Sequence, residues 1–237
     1  MSKGPFKQTQ YIDSTLKEAP LLLGGHLAEM LEEFSLPPVF VCIGSDRVTG
    51  DSLGPMIGSW LKKRYRSNIH VYGTLDLPVH ALNLDEILEH IHSIHQNHPV
   101  IAIDASLGTK EHQGYITVGR GSISPGAGVN KSLTDVGDMF ITGIVGMSGR
   151  FSHISLQTAR LSQIISIAEQ IAGGIQYAYS AYVTEELPLA PFSYAAPCPD
   201  AAKSEKTRFA KFVGSPAAAN ENTGISAVNE RRNYPPL

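Results

Sequence analysis

Short apolar runs alternate with amphipathic segments along most of the chain. The runs at 39–43 and 100–103 are uniformly apolar, which is typical of strands buried on both faces of a parallel sheet. Apolar residues at helical spacing predict helices at 21–34, 56–66 and 82–95. Because strand, Gly-containing loop and helix follow one another, the pattern predicts an α/β fold built on an open, parallel sheet.

The remaining predicted strands have a weaker pattern of apolar residues, and one further helix is predicted. Further strands are expected at 68–75, 115–118 and 139–145, and residues 119–149 are otherwise rich in Gly and loop-like. The longest helical pattern covers 155–177 and predicts one continuous helix. The apolar residues expected along one side of that helix are Leu156, Leu161, Ile164, Ile165, Ala168 and Ile171.

The chain divides by composition into three parts. Residues 1–19 are polar and weakly patterned, and we expect a mobile lead-in. Residues 20–180 carry the apolar periodicity and form the predicted domain. In residues 181–237 that periodicity is lost while Pro, Ala, Ser and Asn become frequent, so we expect a disordered tail.

Composition and charge exclude several classes of protein. The 237 residues are 42% hydrophobic and carry a net charge of -3, which argues against a generally basic nucleic-acid binder and against a polybasic membrane contact. No apolar run approaches the roughly 20 residues of a membrane span, and the first residues lack the apolar core of a signal peptide. Two distant cysteines cannot form a disulfide framework or a multi-Cys zinc site. We therefore expect a cytoplasmic protein with no nucleic-acid or membrane partner.

Two aspartates mark the predicted carboxyl edge of the sheet. Asp104 follows the strand at 100–103, and Asp51 lies at the start of the helix that follows the strand at 39–43. Adjacent strands lie about 4.8 Å apart, so loops that leave the same edge can bring two carboxyl groups together. Such a pair can share one proton and act as general acid and base in amide hydrolysis. The alternative is that Asp51 only caps its helix and Asp104 only ends its strand.

The remaining candidate residues favour structural interpretations. His90, His92, His95 and His98 lie at the end of a predicted helix among polar residues, and we interpret them as solvated rather than as metal ligands. Cys42 lies inside an apolar strand and is expected to be a buried, inert thiol. The glycine loop at 125–130 is expected to lie close to another backbone, such as that of a substrate.

Three motifs, taken in order, resemble a known family. The segments IGSDRVTGDSLGP at 43–55, VIAIDA at 100–105 and ISPGAGVN at 123–130 are similar to the spore germination proteases, and more closely to their small YyaC-type relatives. The first motif also resembles the hydrogenase maturation endopeptidases. The resemblance covers roughly residues 38–178.

This resemblance implies a three-layer sandwich with a mostly parallel central sheet, of the hydrogenase-maturation-protease or phosphorylase-like type. It also implies a peptidase-like site in which Asp51 and Asp104 are catalytic. Residues of the loops after the first strand and around the glycine motif would bind the substrate: Gly44, Ser45, Asp46, Gly126, Gly128 and Asn130.

The implied function is that of a sporulation-associated endopeptidase. Its substrate would be a protein or peptide, with spore proteins as one class, in the cytoplasm of the spore or forespore, and it would need no cofactor or metal. Two alternatives stay open: a non-catalytic binding or scaffold protein that retains the fold, and a nickel-triggered processing endopeptidase. The nickel enzymes use a histidine for which the Gly-rich region here offers only Asn130. Assembly into a homo-oligomer also stays open.

Overall fold

A computed structural model describes residues 9–66, 69–126 and 134–180. Its strands are β1 (Gln10–Asp13), β2 (Val39–Cys42), β3 (His70–Tyr72), β4 (Val100–Gly108), β5 (Tyr115–Arg120) and β6 (Met139–Met147). Its α-helices are α1 (Ala19–Leu31), α2 (Leu53–Tyr65), α3 (Leu84–Ile94), α4 (Ser152–Gln157) and α5 (Leu161–Tyr179). The chain therefore has the expected α/β composition.

The strands form one mixed sheet of six, in the order β1-β5-β6-β4-β2-β3. Strands β6, β4, β2 and β3 pair in parallel, whereas β5 pairs antiparallel with both β6 and β1. The predicted parallel arrangement thus holds for the centre and one edge of the sheet, and β5 alone among the described strands runs in the opposite direction.

The main hydrophobic core lies between one face of the sheet and three helices. Alternate strand residues such as Phe40, Ile101 and Ile103 pack with apolar residues of α1, α2 and α5. Helix α5 contacts α1, α2 and β6, so it lies centrally in this layer. The apolar side of α3, which includes Ile87 and Ile91, is also buried but lies outside that cluster.

The predictions for the first 19 residues and for the longest helix are wrong. Strand β1 lies inside residues 1–19, so the folded part of the chain begins before residue 20. The continuous helix expected at 155–177 is broken after α4, because Arg160 has an extended backbone (ψ 121°). As a result Leu161, expected on the buried side, is 53% exposed, whereas Ile164 and Ile171 are fully buried as predicted.

Residues 181–237, expected to be a disordered tail, lie outside the described residues. None of the described helices is both long and apolar enough to cross a membrane.

Candidate active site

Strands β2 and β4 separate at the carboxyl edge of the sheet. Their last paired residues are Cys42 and Ile103, and the Ile43 N–H still donates to the Ile103 carbonyl at 2.7 Å. Strand β4 then continues alongside β6 as far as Gly108, although the sequence predicted that it would end at Asp104. At Asp104, β4 therefore still pairs with β6 on one side but no longer pairs with β2 on the other.

A tight loop after β2 brings Asp51 to this edge. Gly44 has φ +137°, and a Cβ atom built there would lie 2.0 Å from the Asp51 carbonyl oxygen, so only glycine fits. The Gly44 N–H donates to the Val79 carbonyl at 2.8 Å, and the Ser45 N–H donates to the Asp51 carbonyl at 3.0 Å. The loop thus holds the backbone of Asp51 against the end of β2, and the substrate-binding role predicted for Gly44 and Ser45 stays a prediction.

The capping interpretation of the two aspartates is wrong. Asp51 lies within a short 3-10 helix, Gly50–Ser52, and the residue that precedes α2 is Ser52, which makes no side-chain capping hydrogen bond. Asp104 lies inside β4 rather than in a turn at its end. Asp51 therefore does not cap α2, and Asp104 does not end β4.

The environment of Asp104 favours its neutral form. Burial raises its pKa well above the ordinary range for a carboxyl group, and the negative charge of Asp51 raises it further. A hydrogen bond from the Ala105 N–H to Asp104 Oδ1, 2.8 Å long, acts in the opposite direction but does not outweigh the other two effects. The two predicted carboxyl groups are therefore near enough for the charge of Asp51 to act on Asp104.

Asp51 is more easily ionised than Asp104. Burial raises its pKa, but the Ser45 N–H and the positive charge of His80 both lower it. His80 Nδ1 accepts the Leu82 N–H at 3.3 Å, so the neutral ring carries its proton on Nε2. The surroundings thus give the two carboxyl groups different pKa values. This is the pattern expected when one group, Asp51, acts as a general base and the other, Asp104, as a general acid.

A row of hydroxyl groups extends from Asp104 across the sheet. Thr142 of β6 is opposite Asp104, and Thr117 of β5 is opposite Thr142. The Thr142 and Thr117 hydroxyls lie 2.7 Å apart, and Ser106 Oγ lies 3.0 Å from Thr142 Oγ1. Both threonines are buried, at 7% and 6% exposure, so Asp104 has a polar neighbourhood inside an otherwise apolar sheet.

Sequence reasoning missed His80 and this hydroxyl row. His80 belongs to an irregular segment between β3 and α3, where no periodic pattern marks it. The threonines lie inside the predicted strands at 115–118 and 139–145, and pairing between strands that are distant in the chain cannot be inferred from spacing. Knowledge of which residues pair between β4, β5 and β6 would have revealed the two threonines beside Asp104.

Of the other predicted substrate-binding residues, the structure describes Asp46 and Gly126. Asp46 is exposed on the loop that follows Gly44. Gly126, with φ +73°, follows the isolated bridge between Ile123 and Val136. Gly128 and Asn130 lie outside the described residues.

Comparison with known proteins gives the family. Residues 11–174 match the family described as "Protein of unknown function (DUF1256)". The chain is also 43% identical, over 167 residues, to "Uncharacterized protein YyaC" of Bacillus subtilis (strain 168), a match that covers 70% of this chain and 82% of that protein. The family match contains both aspartates, His80 and the hydroxyl row. The chain therefore belongs to the DUF1256 family.

Proposed function

We propose that this protein is an endopeptidase in which Asp51 and Asp104 activate water to hydrolyse a peptide bond. The observation that carries the proposal is the position of the two residues at the carboxyl edge of the sheet, where the Gly44 loop holds Asp51 and where β4, at Asp104, parts from β2. The charge of Asp51, which raises the pKa of Asp104, supports it. Ligands of open α/β sheets bind at this edge. The resemblance of the motifs around both residues to germination proteases supports the same activity.

Each aspartate has a distinct part in the proposed reaction. Ionised Asp51 takes a proton from a water molecule, whose oxygen attacks the carbonyl carbon of the substrate amide. Neutral Asp104 gives its proton to the amide nitrogen as the C–N bond breaks, so that one acid and one amine leave. A positive charge on His80 lowers the pKa of Asp51 and so favours the ionised form that the base requires.

The substrate class and the compartment follow from the resemblance alone. We propose a protein or peptide substrate, with spore proteins as the first class to test, in the cytoplasm of a spore-forming cell. We also propose that the fold is a variant of the three-layer hydrogenase-maturation-protease type, with β5 and β1 extending the parallel strands. In the described part of the chain, Asp51, Asp104 and His80 do not form a compact group of three metal donors, so the nickel-triggered alternative gains no support.

The proposal is tested by incubating the full chain with a peptide library of mixed sequence in heavy-oxygen water. Mass spectrometry then reports new termini and the incorporation of solvent oxygen into the new carboxyl group. We expect cleavage by the parent and a loss of about 100-fold or more in Asp51→Asn and in Asp104→Asn.

Asp76→Asn is the matched control, since this exposed carboxyl group lies on the loop that follows β3 and has no part in the proposed site. It should cleave at the parental rate. Full cleavage by either dyad variant would refute the mechanism, and absence of cleavage by the parent on peptides and on spore proteins would favour the non-catalytic binding protein.

A further inference from the structure

Three imidazole rings meet at the sheet edge opposite the aspartates. His70 is the first residue of β3, His95 follows α3, and His98 precedes β4. The ring centre of His70 lies 4.3 Å from that of His95 and 5.4 Å from that of His98, and the centres of His95 and His98 are 5.4 Å apart. All three are partly buried. The sequence pattern predicted solvated histidines here and could not bring in His70, which is distant in the chain.

The nitrogen atoms of these rings are arranged compactly. One nitrogen from each ring lies within 4.8 Å of one nitrogen from each of the others. Nitrogens bound to one tetrahedral Zn²⁺ are about 3.3 Å apart, given a Zn–N distance of 2.0–2.1 Å. Small side-chain rotations would therefore bring all three nitrogens onto a single ion.

Hydrogen bonds already orient two of the rings. His98 Nδ1 lies 2.7 Å from the Pro37 carbonyl, which can only accept, so Nδ1 carries the proton and Nε2 keeps a free lone pair. His95 Nε2 lies 2.9 Å from the Tyr72 hydroxyl. Metal-binding histidines characteristically use one nitrogen in this way, which fixes the ring so that the other can bind the ion.

An open cavity of about 430 Å³ adjoins the rings. It is lined by His95 and His98, and by the carboxyl-bearing side chain of Asp138, whose Oδ2 accepts the Val100 N–H at 2.8 Å. The cavity gives an ion access from solvent and leaves room for water in a fourth coordination position.

We propose that His70, His95 and His98 form a site for one divalent transition-metal ion of the zinc class, at the amino ends of the parallel strands. Three imidazoles without hard oxygen ligands favour Zn²⁺, Ni²⁺ or Cu²⁺ over Mg²⁺ or Ca²⁺. The site joins the start of β3, the end of α3 and the start of β4, so a bound ion stabilises the fold at this edge. It is separate from Asp51 and Asp104 and does not depend on peptidase activity.

The test is calorimetric titration of the full chain with zinc chloride at pH 7, together with the melting temperature. We expect one Zn²⁺ per chain at micromolar or tighter affinity, and a rise in melting temperature that Mg²⁺ does not produce. Each of His70→Asn, His95→Asn and His98→Asn should weaken the affinity at least about 10-fold. Tyr72→Phe, which leaves all three imidazoles in place, should weaken it about 10-fold through loss of orientation.

Two controls locate the ion. His153→Asn, an exposed histidine of α4, and Asp104→Asn should both keep the parental Zn²⁺ affinity. Failure of the parent to bind Zn²⁺, or loss of binding in Asp104→Asn rather than in the histidine variants, would overturn the proposal. Because these readouts need no turnover, a failure here is distinguishable from a failure of the peptidase proposal.

Discussion

Asp104 of β4 pairs in register with Thr142 of β6, one residue beyond the last pairing of β4 with β2. One side of Asp104 therefore keeps its sheet neighbour, a buried hydroxyl, while the other side opens toward the loop that carries Asp51. This position explains how one carboxyl group can be buried enough for its pKa to rise and still lie at an edge where a substrate can bind.

Replacing Asp104 should stabilise the protein at neutral pH. Because its pKa is raised on folding, the folded state binds a proton that the unfolded chain releases, and stability falls as pH rises above the ordinary carboxyl range. Asn does not titrate, so Asp104→Asn should be more stable than the parent at pH 7 and should match it below about pH 4. Each kcal/mol gained should raise the melting temperature by about 2–4 °C. Urea unfolding across this pH range checks this, and a less stable variant at pH 7 would contradict it.

The pH dependence of cleavage should separate the two aspartates. Activity should rise as Asp51 loses its proton and fall as Asp104 loses its own, which gives a bell-shaped profile displaced above the ordinary carboxyl range. His80→Asn removes the positive charge that lowers the pKa of Asp51, while its side-chain oxygen can still accept the Leu82 N–H. The acid limb should move to higher pH and the basic limb should stay in place. Movement of the basic limb alone would show that His80 does not act on Asp51.

Gly44→Ala should destabilise the protein through a specific clash. The new Cβ would lie 2.0 Å from the Asp51 carbonyl oxygen, so the loop must move, at a cost of roughly 2–4 kcal/mol. Gly149→Ala is the control for backbone strain alone, because Gly149 has a similar φ of +132° but open space around it. It should cost only about 1 kcal/mol in urea unfolding. Equal losses in the two variants would mean that the contact with Asp51 carries no energy.

Thr142→Val should destabilise the sheet without changing its shape. The substitution leaves the hydroxyls of Thr117 and Ser106 without their shared partner, and we expect a loss of about 1–3 kcal/mol in unfolding free energy. Thr158→Val removes an exposed hydroxyl that donates to the Ile154 carbonyl, and it should cost clearly less. A neutral effect at Thr142 would show that the hydroxyl row is not a stabilising network.

The sequence was most informative where burial is uniform. The apolar runs that became β2 and β4 could be located because parallel strands covered on both faces leave no polar positions. Strand β1 was missed because it is four residues long and only Ile12 is buried. The break between α4 and α5 was missed because neither Gly nor Pro marks it and the apolar spacing continues across it.

The site was predicted only in part because several of its contacts join residues that are distant in the chain. Asp51 and Asp104 could be placed together because the loop after β2, and the point where β4 parts from β2, lie at the same edge of the sheet. His80, Thr142 and His70 act through neighbours that are distant in the chain, and no local pattern encodes such contacts. Their roles emerge only from the register of the sheet and the path of its loops.

The central claim is that, of the two carboxyl groups, Asp104 holds a proton while Asp51 is ionised. NMR titration of the carboxyl carbons of the two side chains tests this claim most directly. We predict that Asp104 stays protonated at pH values where Asp51 is already ionised, and that Asp51→Asn lowers the pKa of Asp104 by removing the neighbouring charge. Titration of both groups in the ordinary carboxyl range, with no response of Asp104 to Asp51→Asn, would contradict the claim.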